Sequence, residues 1–248
     1  MPCIDLNCDL GEGTGHDADL MPLISSANIA CGGHAGDAAT MRATVELAVR
    51  HGVAIGAHPG LEDRAHFGRR ELPVSADEVR QLVLAQTRAL QAIARECGAR
   101  VVHVKPHGAL YNLTARDPVL AQAVAEAVRA CGDELVLFGL AGSGALVAGA
   151  ACGLRVAHEV FADRTYQPDG ALTPRAHAGA LLEDATLAVE QALQLVRSGR
   201  VRARNGAEVT LRADTICLHG DGAHAVEFAR RICAEFQRAG IAIQAFTA

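Results

Sequence analysis

Short apolar runs alternate with amphipathic stretches of helical length along all 248 residues, and that rhythm limits the possible folds more than any other feature. The runs at 3–8, 27–30, 53–57, 101–105, 135–140, 155–161 and 215–218, with a weaker one at 241–246, are predicted strands. Helices fill most of the intervals. Asp37 caps one that stops before Gly52, Ser75 and Glu78 form a capping box for one that stops before Gly98, and Pro118 suits a first helical turn. A further helix runs from near Asp184 to Gly199, and a last one covers 223–238 before Gly240. The segment 201–211 alternates around Asn205-Gly206, which predicts an inserted hairpin with a type I′ turn.

Seven or eight βα units joined by right-handed crossovers predict a closed (β/α) barrel, with an open doubly wound sheet as the alternative. No composition shift divides the chain, so 1–248 is read as a single domain. With two Tyr, six Phe and no Trp, the core must be built from Ala, Val, Leu and Ile. A formal charge of −5 and the lack of any Lys/Arg run exclude nucleic acid and an anionic membrane surface as partners. No apolar run approaches the roughly 18 residues of a membrane span. The eight Cys are scattered, form no C-x-x-C and follow no signal peptide, so reduced thiols in a cytoplasmic protein are expected.

Nearly every predicted strand ends in a segment rich in Asp, His, Lys or Arg, and on a barrel those ends converge on one face. In D-L-N-C-D-L-G-E, period-two alternation puts Asp5, Asn7 and Asp9 on one side and Leu6 and Cys8 on the other. Interior placement of the polar three requires each to be paired, hydrogen-bonded or metal-bound; an edge exposed to water is the alternative. N-I-A-C-G-G-H-A-G-D follows, with His34 as a functional or structural hydrogen-bonding residue, Asp37 as a cap and Cys31 as a buried thiol rather than a nucleophile. G-A-H-P-G supplies His58, and the loop after it carries Asp63, His66, Arg69 and Arg70; the adjacent arginines suit a carboxylate or phosphate, or a solvated loop.

In H-V-K-P-H-G-A-L-Y-N, His103, Lys105 and His107 share a face if the strand extends that far. A lysine inside a barrel must meet an anion or lose its charge. E-V-F-A-D-R-T-Y brings Glu159, Asp163 and Arg164, and C-L-H-G-D brings His219 and Asp221. Asp163 with Arg164 can be a simple ion pair, and Glu159 an interior anchor. G-L-A-G-S-G-A at 139–145 lacks dinucleotide-fingerprint spacing and reads as a packing segment that starts a helix. There is no P-loop, nucleophile elbow or kinase set.

Taken together and in this order, these motifs and F-G-R-R resemble the LamB/YcsF family over nearly the whole chain. The resemblance implies a seven-stranded, TIM-like (β/α) barrel of the glycoside hydrolase and deacetylase type. It also implies the role of the A component of a 5-oxoprolinase: cleavage of 5-oxoproline to glutamate with ATP as cosubstrate, in partnership with subunits B and C. Carried onto this chain, it suggests Asp9, His58, Lys105, His107, Asp163, Arg164, His219 and Asp221 as catalytic. Asn7, Asn28, Asp63, Arg69, Arg70, Tyr111 and Glu159 are the expected contacts to substrate or phosphate. Asp9, His34 and His58 also resemble one-carboxylate, two-histidine sets that bind divalent metals.

Two other classes stay open at this stage: a metal-dependent deacetylase or amide hydrolase, and a non-catalytic subunit that binds the lactam or docks partners. Loss of Lys105 is expected to abolish activity and leave the fold intact.

Overall fold

The computed structural model describes residues 2–219, 222 and 224–246. The strands are β1 (Cys3–Leu10), β2 (Ser26–Ala30), β3 (Ala54–His58), β4 (Val101–Val104), β5 (Val136–Leu140), β6 (Arg155–Phe161), β7 (Arg200–Arg202), β8 (Glu208–Thr210), β9 (Thr215–Leu218) and β10 (Ala242–Ile243). The helices are α1 (Asp17–Leu20), α2 (Ala38–His51), α3 (Ala76–Glu96), α4 (Gly108–Arg116), α5 (Pro118–Cys131), α6 (Gly144–Ala151), α7 (Ala185–Ser198) and α8 (Ala225–Arg238).

Strands β1 to β6 pair in sequence order, all parallel, and β9 joins β6 to β1, which closes a seven-stranded barrel. The open-sheet alternative is thereby excluded. The weak run near the end of the chain is not an eighth stave. Only Ala242 and Ile243 pair, and they add to the start of β1 at Cys3 and Ile4, outside the closure.

The helix ends follow the local chemistry. Asp37 accepts from the Thr40 amide, Gly52 ends α2 with a left-handed φ of 68°, and Ser75 with Glu78 forms a full capping box on α3. Helix α3 turns Val79, Val83, Leu90 and Ile93 onto the barrel, and each fully buried side chain of that kind contributes roughly 2 kcal/mol. β7 and β8 pair antiparallel, but the turn is not type I′. Of its two central candidates, only Gly206 takes a positive φ, at 86°. The Gly206 amide closes on the Ala203 carbonyl and Ala203 on Ala207, a longer loop that needs one left-handed glycine instead of two left-handed residues. The eight cysteines are free thiols, and no helix among the described residues is long and apolar enough to cross a membrane.

The barrel interior departs from the usual packing of branched apolar layers. Leu6, Cys8 and Leu10 face the helices, while Asp5, Asn7 and Asp9 form a polar ladder inside. At its base Asp5 accepts from Ser25, Ser26 and Thr215. One layer up, Asn7 donates to Glu159 at 2.9 Å and Thr215 at 2.7 Å, and Asn28 donates to Asn7 at 2.7 Å and Asp9 at 2.8 Å. His103 donates to the Asn28 side-chain carbonyl at 2.8 Å and stacks on Phe138. Room for its ring comes from Gly56, where a Cβ would lie 1.9 Å from His103 Nε2.

Candidate active site

The carboxyl ends of the strands open into a cavity of about 620 Å³. Its floor is Asp9, Lys105 and His58; Glu12 and His107 form one wall; Phe161, Arg164 and His219 form another; Tyr111 and the start of α6 complete it.

Lys105 is placed by a strand shorter than expected. β4 ends at Val104, yet the chain stays extended because the Lys105 amide donates to Ala57 and the His107 amide to Pro59. His103, Lys105 and His107 therefore still share the interior face. Lys105 Nζ donates to Asp9 at 2.9 Å and Glu159 at 2.8 Å, and lies 3.2 Å from Asn7 Oδ1 and 3.1 Å from Cys217 Sγ. Burial works against its ammonium, but Asp9 and Glu159 outweigh it and hold the pKa well above the ordinary value. Burial likewise pushes Asp9 up, and His58 and Lys105 more than reverse this, so its carboxylate stays ionised. The ion-paired setting argues against the expectation that losing Lys105 leaves the fold intact, because its partners are protein carboxylates.

A histidine cluster adjoins Asp9. His58 Nε2 lies 3.4 Å from Asp9 Oδ2 and 2.9 Å from His107 Nδ1. Glu12 Oε1 sits 3.0 Å from His34 Nε2, 3.4 Å from His107 Nδ1 and 3.9 Å from His58 Nε2. Burial, reinforced by His58 close by, pushes His34 down to about 2, and burial with His58 and His34 beside it puts His107 well below its ordinary range. The loop at F-G-R-R shapes this wall. Phe67 adopts a left-handed φ of 54°, which aims its carbonyl at His107 Nε2, 2.9 Å away, while its ring packs edge-on against His34 and His107.

On the opposite side, Asp163 accepts from His219 Nδ1 at 2.9 Å instead of pairing with Arg164. Burial raises Asp163, but His219 pulls it below the ordinary carboxylate value. Arg164 donates to the carbonyls of Thr173 at 2.6 Å and Ala180 at 3.3 Å, so it braces the loop over the cavity while lining it.

Several expected residues stand elsewhere. Asn7, Asn28 and Glu159 lie beneath the cavity as links in the interior ladder, where they cannot reach a ligand directly. Asp63 and Arg70 face each other at 3.5 Å, and His66 bonds the same carboxylate at 2.8 Å; of the two adjacent arginines, Arg69 is the one that lines the cavity. Tyr111 lines the cavity, its phenol raised well above the ordinary value by burial and Glu159. The compact donor group around His58 contains His34, Glu12 and His107 but not Asp9, and within it His34 is buried behind the wall. Cys31 is an inert thiol, pushed up to about 12 by burial. Asp221 lies outside the described residues.

Glu12 is the residue that sequence reasoning passed over. Parity along β1 points to 5, 7 and 9, but Gly11, with φ of 71°, breaks the strand and swings the next side chain inward against parity. The 139–145 segment does start a helix, and Gly142 and Ser143 also face the cavity, with the Ser143 hydroxyl buried and unpartnered among the described residues.

With this geometry in place, comparison with known proteins is decisive on ancestry. The LamB/YcsF family profile matches residues 4–248. The chain belongs to that family. A curated relative from Tolumonas auensis, named as the A component of 5-oxoprolinase, is 54% identical over 250 residues, covering 99% of this chain and 100% of its own length. The crystal structure of a lactam utilization protein from Thermus thermophilus superposes with a TM-score of 0.93 at 43% identity, covering 98% of this chain and 100% of that one. A peptidoglycan deacetylase from Bacillus subtilis shares the barrel alone, with a TM-score of 0.53 at 12% identity over 98% of this chain and 87% of that one. The LamB/YcsF chain and the Thermus protein thus have the same seven-stranded frame.

Proposed function

We propose that this chain is the A component of an ATP-dependent 5-oxoprolinase and that its barrel mouth opens the lactam of 5-oxoproline to glutamate, with subunits B and C as partners. The names of close relatives supply the substrate. The observation that carries the chemistry is the Asp163–His219 pair, which stands across the cavity floor from ionised Asp9.

A lactam is a resonance-stabilised amide, so its carbonyl resists water until its oxygen is activated; transfer of a phosphoryl group from ATP to that oxygen supplies the activation. His219 then takes the proton of the attacking water at Nε2, because Asp163 occupies Nδ1 and fixes the tautomer, and returns it to the lactam nitrogen as the C–N bond breaks. The acyl phosphate left behind is hydrolysed by a second water to glutamate and phosphate. Lys105 holds Asp9 in place through its other carboxylate oxygen. Arg69 and Arg164 on the rim, with the amino end of α6 opposite, balance the carboxylate and phosphoryl charges.

The test is a coupled assay of 5-oxoproline consumption and ADP release by the purified chain, alone and with B and C. Glutamate formation with ADP release by the assembly supports the reading. Acetate release from N-acetyl sugars without ATP, or no dependence of the assembly on this chain, overturns it.

A further inference from the structure

The contact between His58 and His107 has an unusual balance of protons. His58 Nδ1 stands 2.7 Å from the Lys105 carbonyl and His107 Nε2 stands 2.9 Å from the Phe67 carbonyl. A carbonyl only accepts, so each of these nitrogens carries the hydrogen. In neutral imidazoles the other two nitrogens, His58 Nε2 and His107 Nδ1, then present lone pairs to each other at 2.9 Å. Two facing lone pairs at that distance repel unless a cation lies between them.

A proton could bridge two atoms, but a third donor converges on the same point. Glu12 Oε1 lies 3.4 Å from His107 Nδ1 and 3.9 Å from His58 Nε2. Ligands about 2.05 Å from a tetrahedral zinc stand about 3.3 Å apart, and the three separations here, 2.9, 3.4 and 3.9 Å, bracket that edge. We infer that His58 Nε2, His107 Nδ1 and Glu12 Oε1 form a binding site for a borderline divalent cation such as Zn²⁺, with the remaining coordination position turned to the cavity that all three line.

His34 is not one of the ligands. Its ring is stacked on His107 at 3.6 Å with planes 3° apart, so a metal in the plane of His107 lies a full stacking distance from the plane of His34 and out of reach of its in-plane lone pair. His34 instead donates from Nε2 to Glu12 and positions the carboxylate. The His58 ring, at 89° to His107, has the orientation that lets both meet one ion. The two backbone carbonyls behind the histidines fix tautomer and aim, as outer partners do at zinc sites.

The site stands whatever the substrate is, so its test needs no turnover. The full chain, stripped with chelator, would be titrated with Zn²⁺ by calorimetry and with Co²⁺ by visible absorption, with metal content measured by mass spectrometry. One ion per folded chain is expected. Glu12→Gln and His107→Gln should each weaken binding at least about 100-fold, whereas His34→Gln, which removes only a positioning contact, should cost about 10-fold. In the unaltered chain, imidazole nitrogen NMR should show Zn²⁺ shifting the inward nitrogens of His58 and His107 and leaving His34 less affected; this readout does not depend on how the variants fold. The inference is overturned by the absence of stoichiometric Zn²⁺ or Co²⁺ binding, by binding insensitive to Glu12→Gln and His107→Gln, or by a spectrum showing a proton shared between His58 and His107 that Zn²⁺ leaves unchanged.

Discussion

Lys105 Nζ lies 2.9 Å from Asp9 Oδ1 inside a barrel whose β1 strand would ordinarily turn apolar side chains inward. The same ammonium meets Glu159 at 2.8 Å, so two buried carboxylates depend on one cation. Lys105→Ala should therefore destabilise the fold by about 4 kcal/mol, because it strands both charges. Urea unfolding of the purified variant measures this. A variant as stable as the parent would mean that the interior ladder relaxes around the loss.

Gly56 and His103 make a tighter pair. A Cβ at 56 would stand 1.9 Å from His103 Nε2, with backbone on one side and the Phe138 stack on the other. Gly56→Ala should cost about 2 kcal/mol or more through overpacking. Adding His103→Ala should recover part of that cost, since the clash is with this ring. Strictly additive losses in the double variant would show that the strain lies elsewhere.

His103 also sets a pH dependence. Burial, with the Lys105 charge and His58 alongside, pushes it down from 6.5 to about 3, so it folds as the neutral base. The unfolded chain takes up a proton below about pH 6.5 that the folded chain refuses. This contribution to stability is full above that pH and is lost as pH falls towards the folded value. Between about pH 7.5 and about pH 5, the parent should lose roughly 2 kcal/mol more than His103→Gln, which keeps a donor for Asn28. Parallel losses in the two proteins would contradict a neutral buried His103.

The barrel and its rim were legible because both rest on local patterns. Asp5, Asn7 and Asp9 share a side by strand parity alone, and Asp37, Ser75 and Glu78 mark helix starts by chemistry that acts within one turn. Partnerships were not legible, since they are fixed by closure. Lys105 meets Asp9 and Glu159 from strands far away in sequence, and Asp163 leaves its neighbour Arg164 for His219 because β6 and β9 are adjacent staves. Glu12 was hidden for a different reason, a left-handed glycine that resets the parity of the strand before it.

In the proposed reaction, ring opening at the barrel mouth depends on His219 and its orientation by Asp163. His219→Gln removes the base while leaving a side chain that can still reach Asp163. Turnover of 5-oxoproline by the variant, assembled with subunits B and C at saturating ATP, is the direct measurement. A fall of about 100-fold to 10,000-fold in kcat with unchanged unfolding stability is the predicted result. Turnover within about threefold of the parent would contradict it and move the chemistry out of this cavity.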